Sequence, residues 1–213
     1  MAEQLRQRIA LGVLPGEVTL CSLVRAGIPY GVLLHRALCH LGIDSRHYGV
    51  SIIRDRGLDT VAMAHVCQTR DPAGVLFVDG WTGKGAIAGE LHRAWQGMQG
   101  AEPTLVVLAD PSGHASVSGS VEDWLIPSGI LGANVSGLIS RSILNAAVIG
   151  PGDYHGAIPV QHLADLDQSR AFVDAVFAHV RQHLPAESAA ARAPVDRAAW
   201  ERQQAADQAT RAQ

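Results

Sequence analysis

"GVLFVDGWTGKGAIAGELHRAWQGMQ", residues 74–99, decides the fold. Its opening run, Gly74 to Gly80, is apolar without alternation until Asp79, the pattern of a strand buried on both faces of a parallel sheet. Residues 85–99 then read as a helix. The turn between them holds Gly80, Thr82, Gly83, Gly85 and Lys84, the only lysine in a chain of 213 residues. Glycines let backbone N–H groups come close to an anion. The helix that follows aims its free N–H groups and positive dipole end at the same point. Thr82 adds a hydroxyl, Lys84 a mobile charge, and Asp79 an acceptor for sugar hydroxyls. The spacing excludes a Walker A loop, because Gly80 to Gly83 is too short and Gly85 follows Lys84 where Ser or Thr is needed. It is not G-x-G-x-x-G either.

Working outward, "GEVTLCSL" (16–23), "HYGVSII" (47–53) and "TLVVLADP" (104–111) read as further strands. Helices are expected within 25–42, over 58–68 and over 165–184. This alternation predicts an α/β fold with an open, mainly parallel sheet flanked by helices. In such sheets ligands bind beyond the carboxyl ends of the strands. Those ends are "CSLVRAG", "RDRG", "DGWTGKG" and "DPSGHA". Residues 112–160, richer in Gly, Ser and Pro, suggest a small accessory region. One domain is expected over 1–184, with its core in 17–145. Residues 185–213 read as an Ala/Arg/Gln-rich tail, flexible or helical.

The totals narrow the function classes. An apolar share of 47% with 17% charged residues fits a folded globular chain. A net charge of -3 carries no footprint for nucleic acid. No apolar run approaches the roughly 20 residues of a membrane span, and "AEQLRQRIA" lacks a signal-peptide core. A cytoplasmic protein is the expectation. Cys21, Cys39 and Cys67 show no CxxC spacing, which argues against a disulfide framework or a structural zinc. His179 and His183, four apart, read as surface residues, since no carboxylate completes a metal site.

Four segments carry a resemblance: "SLVRAGIPYGVLLHRAL" (22–38), "HYGVSIIRDRGLD" (47–59), "FVDGWTGKGAI" (77–87) and "DWLIPSGILGANVSGLISRS" (123–142). Together they resemble the StiP-type phosphoribosyltransferase-like family associated with tellurite resistance. The likeness implies a type I phosphoribosyltransferase fold and an enzyme that binds phosphoribosyl pyrophosphate with Mg²⁺. Such an enzyme transfers the phosphoribosyl group to a small acceptor. By the same resemblance Gly80, Trp81, Thr82, Gly83, Lys84 and Gly85 hold the 5-phosphate. Ser22, Arg25, Ala26, Gly27, Arg54 and Arg56 hold the pyrophosphate. Asp79, Lys84 and Arg54 are the expected catalytic groups, and Asp79 and Asp110 the metal ligands. Gly80 stands where ordinary members carry a second acidic residue. The family also bears a cysteine-protease label. Under that alternative Cys21 is the nucleophile, with His47 or His114 as its base. A non-catalytic phosphoribosyl-nucleotide-binding module is the third reading. Family members are longer at the amino end, so any hood or lid that such an extension supplies is expected either to be missing or to come from a second copy or a partner subunit.

Overall fold

The computed structural model describes residues 1–184 and 194–211. Its centre is a five-stranded, all-parallel sheet built from β1 (Glu17–Leu23), β2 (Asp44–Val50), β5 (Val75–Trp81), β6 (Thr104–Ala109) and β7 (Val117–Ser120), in the order β2-β1-β5-β6-β7. Two short strands, β3 (Ile52–Ile53) and β4 (Gly57–Leu58), form a separate antiparallel pair. The chain leaves β1 for β2 on one side and returns to place β5 on the other. The carboxyl ends of β1 and β5 therefore flank the topological switch point, where an open α/β sheet leaves a crevice.

Alternation along the strands sorts the two faces of the core. Cys21, Leu23, Phe77 and Val107 face α3 (Thr60–Thr69) and α4 (Ala86–Gln99), packing with Met63, Val66, Leu91 and Trp95. Phe77 meets Trp95 edge to face at 5.1 Å between ring centroids. Val18, Leu20, Leu76 and Val78 face the opposite side, against Leu34 and Leu38 of α2 (Ile28–His40) and Leu5 of α1 (Ala2–Ala10). Pro29 lies in the first turn of α2, where its missing N–H has no helical partner to lose. Asp59 caps α3 by accepting the N–H of Ala62 at 2.9 Å.

The expected α/β architecture is present, with shifted boundaries. The strand expected over 47–53 begins at Asp44 and ends at Val50. As the sheet's edge strand it tolerates polar residues, which hide its start. The segment 112–160 supplies β7 and the short helix α5 (Pro127–Leu131). Helix α6 (Ser169–His183) packs on α2, with an Arg36–Asp174 ion pair at 2.6 Å. Of the tail, 185–193 and 212–213 lie outside the described residues, while α7 (Arg197–Arg211) is helical. It docks near α1: Arg197 donates to the Leu11 carbonyl at 2.6 Å, and the Arg8 guanidinium lies 5.6 Å from the Trp200 ring centroid. Among the described residues no helix is long and apolar enough to cross a membrane.

Candidate functional site

The crevice at the switch point is where the predicted site residues gather. Asp79, at the end of β5, lines three adjoining cavities of about 540, 300 and 450 Å³. Arg25, Ala26, Arg54, Ser128, Arg141 and Ser142 surround the first, and Arg54, Trp81, Gly83, Lys84 and Gly85 the second. Asp79 accepts the N–H of Gly80 on Oδ1 at 2.8 Å. Burial raises its pKa to about 7, against the weaker opposing effect of that hydrogen bond.

Several of the expected site residues are already engaged by partners within the protein. The Thr82 hydroxyl turns inward, donating to Asp110 and accepting from Ser112 at 3.1 Å, so it is not free for an anion. Asp110 is buried and also accepts the N–H groups of His114 and Ala115, at 2.9 and 3.0 Å. Its carboxylate organises the loop after β6. Among the described residues no group of three or more His, Cys, Asp or Glu side chains is placed to hold an ion. Ser22 is fully buried, donating to the Gly27 carbonyl at 3.1 Å with its oxygen 2.8 Å from His47 Nε2; it is a structural hydroxyl, not a pyrophosphate ligand. Arg56 is exposed on the β3–β4 turn, outside the three cavities.

Glycines in the crevice answer to packing. A Cβ on Gly80 would stand 2.3 Å from Ile126 Cδ1 and 2.8 Å from Tyr30, so a side chain there requires these neighbours to shift. A Cβ on Gly27 would stand 2.1 Å from the Val78 carbonyl oxygen, where the loop after β1 crosses β5. Gly85 adopts φ 76° as the N-cap of α4, with His114 against it.

The three thiols differ sharply. Cys21 is wholly buried, and its pKa rises to about 12, from burial first and then from Cys67. His47 cannot serve it, because His47 contacts Ser22 on the opposite face of the sheet, while Cys21 pairs with Tyr48. His114 lies against Gly85, at the loop after β5. Cys21 is therefore a core side chain in this arrangement. Cys67 is half-buried, within 3.7 Å of Gln99 Nε2. Cys39 is exposed in the last turn of α2, its sulfur 3.8 and 3.9 Å from Nδ1 and Nε2 of His35. His35 Nδ1 is in turn 3.1 Å from the Ser45 hydroxyl. The spacing His35–Cys39, i to i+4 on a helix, is the sequence signal for this pair.

A five-stranded parallel sheet flanked by helices, with a crevice at its switch point, places the chain in the α/β class. The chain belongs to the StiP family, described as a tellurite-like stress resistance cysteine protease, whose profile matches residues 1–177. It is 45% identical over 170 residues to a protein of Acinetobacter baylyi named cysteine protease StiP, a stretch covering 75% of this chain and 44% of that protein. The chain thus spans less than half the length of the curated relative it matches. No solved structure matches it. The family membership expected from the four segments stands. Phosphoribosyl transfer does not: both names are those of a cysteine protease and overturn it in favour of the peptidase alternative.

Proposed function

We propose that this chain is a cysteine-peptidase module in which Cys39 supplies the sulfur and His35 the base. The observation that carries the reading is the Cys39–His35 contact at 3.8 Å, the only thiol–imidazole contact among the described residues. The family and relative names support the chemistry. Burial, then Asp44, raises the Cys39 thiol; burial, then Arg36, lowers His35. Both shifts favour a neutral thiol beside a neutral imidazole, and the negative carboxyl end of α2 further disfavours a thiolate. The S–H proton therefore passes to a His35 ring nitrogen as sulfur bonds the peptide carbonyl carbon. The C–N bond then breaks, the amine leaves with that proton, and water hydrolyses the thioester to restore the thiol. Ser45 orients the ring.

The test is hydrolysis of fluorogenic casein by the chain and its Cys39→Ala, His35→Ala and Cys21→Ala variants. Losses of at least about a hundredfold in the first two, with Cys21→Ala active, are expected. Activity that survives Cys39→Ala and disappears in Cys21→Ala would overturn the assignment.

A second reading has its own observation. Ser51 Oγ lies 2.8 Å from His155 Nδ1 beside a cavity of about 370 Å³, where the Ser142 hydroxyl is buried without a hydrogen-bond partner among the described residues. Under it, hydrolysis persists after iodoacetamide treatment and is lost in Ser51→Ala.

A further inference from the structure

The third cavity beside Asp79 differs in chemistry from the other two. Its charged lining consists of two carboxylates, Asp79 and Asp123, and its walls carry the indoles of Trp81 and Trp124. Arg25, Arg54 and Arg141 line the first cavity, and Lys84 with Arg54 the second, so the positive groups lie beyond Asp79. Both indoles are unusually open for tryptophan, at 43% and 38% exposure. Trp81 is not loose, because its Nε1–H donates to Asp123 Oδ1 at 3.0 Å and its ring packs over Gly83. That bond fixes one carboxylate at the edge of one ring, and the side of the ring away from Gly83 is where the residue's exposure can lie.

Among the described residues, cationic side chains lie over Trp200 and Phe177 and over neither of these two indoles. Asp79 offers a second acceptor at the floor, since Gly80 occupies only Oδ1. An aromatic face with carboxylates at its rim and floor attracts a cation through the ring quadrupole and charge together. A volume of about 450 Å³ accepts a guanidinium or ammonium group on an aliphatic stem.

We propose that this cavity binds an organic cation, a guanidinium or alkylammonium group, held by the Trp81 and Trp124 faces and by Asp123. The same chemistry is carried by an arginine or lysine side chain within a peptide and by a free amine. The proposal does not rest on the peptidase reading, and binding is measured without hydrolysis.

Tryptophan fluorescence and calorimetry with acetyl-Gly-Arg-Gly-amide, its citrulline counterpart and agmatine make the test. Saturable binding of the arginine peptide or of agmatine is expected, whichever is tighter naming the source. The citrulline peptide, isosteric but neutral, should bind at least about tenfold more weakly. Asp123→Asn keeps an acceptor for Trp81 while removing the charge, and Trp124→Ala removes one face; each should weaken binding about tenfold. Both positions are exposed, so the variants should retain wild-type circular dichroism and Tm. Equal affinity for arginine and citrulline peptides would overturn the proposal. So would affinities unchanged in both variants, or no saturable binding of either cation.

Discussion

The two ends of the parallel sheet have divided the requirements of a catalyst between them. At the carboxyl end, around Asp79, lie three adjoining cavities lined by Arg25, Arg54, Lys84 and Arg141, and none of the three thiols is exposed there. At the amino end, where α2 finishes and β2 begins, Cys39, His35 and Ser45 stand together, but on a convex helix turn. The difference teaches that the strand-end rule for α/β sheets locates a binding crevice and does not by itself locate the nucleophile. The contrast between the two ends can be broken experimentally, beginning with the thiols.

Cys39 should react with iodoacetamide at least about a thousandfold faster than Cys21, because Cys21 is reached only when the core opens. Mass spectrometry of timed alkylation digests reads the ratio. Comparable rates would place Cys21 in a site that opens readily and would reverse the assignment of the two sulfurs.

The same ends should differ in their tolerance of a methyl group. Gly27→Ala places Cβ against the Val78 carbonyl, a backbone atom that cannot step aside, and should cost about 3 kcal/mol or more. Gly16→Ala, just before β1, meets nothing within 4 Å and should stay within about 0.5 kcal/mol of wild type. Urea unfolding of both variants checks this. A mild Gly27→Ala would mean that the loop after β1 can yield, and that the crevice is less fixed than its packing implies.

Much of this crevice could be read from sequence, because short-range patterns built it. The run Val75–Trp81, the glycine turn and the helix Ala86–Gln99 follow from apolar continuity and a change of period. What could not be read is where side chains turn. Thr82 and Asp110, 28 residues apart, close on each other instead of facing a ligand, and Gly80 is dictated by Ile126 and Tyr30 from distant segments. The i, i+4 spacing of His35 and Cys39 is present in the sequence but is not among the sites expected from it, whereas the part played by Ser45 depends on the turn that brings β2 against α2. Helix α1 has a polar sequence with one fully buried side chain, Leu5, which gives little periodic signal.

Ionisation offers a finer separation. Asp79 titrates near pH 7 in the folded chain and near the ordinary 3.8 when unfolded, so the folded state holds more protons between those values. Stability from this group is therefore lost as pH rises from about 4 to 7. His47, lowered to about 4 by burial and then by His35, works in the opposite sense: stability is lost as pH falls from 6.5 toward 4. In wild type the two trends oppose each other. In Asp79→Asn the Asp79 trend is removed while those of His47 and His35 remain, so the variant should gain on wild type above pH 7 by about 2 kcal/mol, the full shift being discounted for solvent in the crevice. Tyr30, Arg25, Arg54 and Lys84 surround the same crevice and are unchanged in the variant. Urea unfolding at pH 4.5, 6 and 8 measures the divergence. Parallel curves for the two proteins would show that Asp79 is ionised at neutral pH and already paired.

The smallest effect belongs to Arg36, which joins α2 to α6 through Asp174 at 2.6 Å and lies 5.8 Å from the Phe177 ring centroid. Both charged partners are substantially exposed, so Arg36→Gln should cost no more than about 1 kcal/mol. Its influence on the neighbouring His35 is the sharper readout. Burial is the larger cause of the lowered His35 pKa, and the Arg36 charge is the second. Removing that charge should move the His35 titration, followed by NMR, upward toward its ordinary value without restoring it fully. A slightly more basic His35 accepts the Cys39 proton more readily, so the alkylation rate of Cys39 near neutral pH should rise in the same variant. If the His35 titration moves and the Cys39 rate does not, the imidazole and the thiol are neighbours on the helix without being chemically coupled.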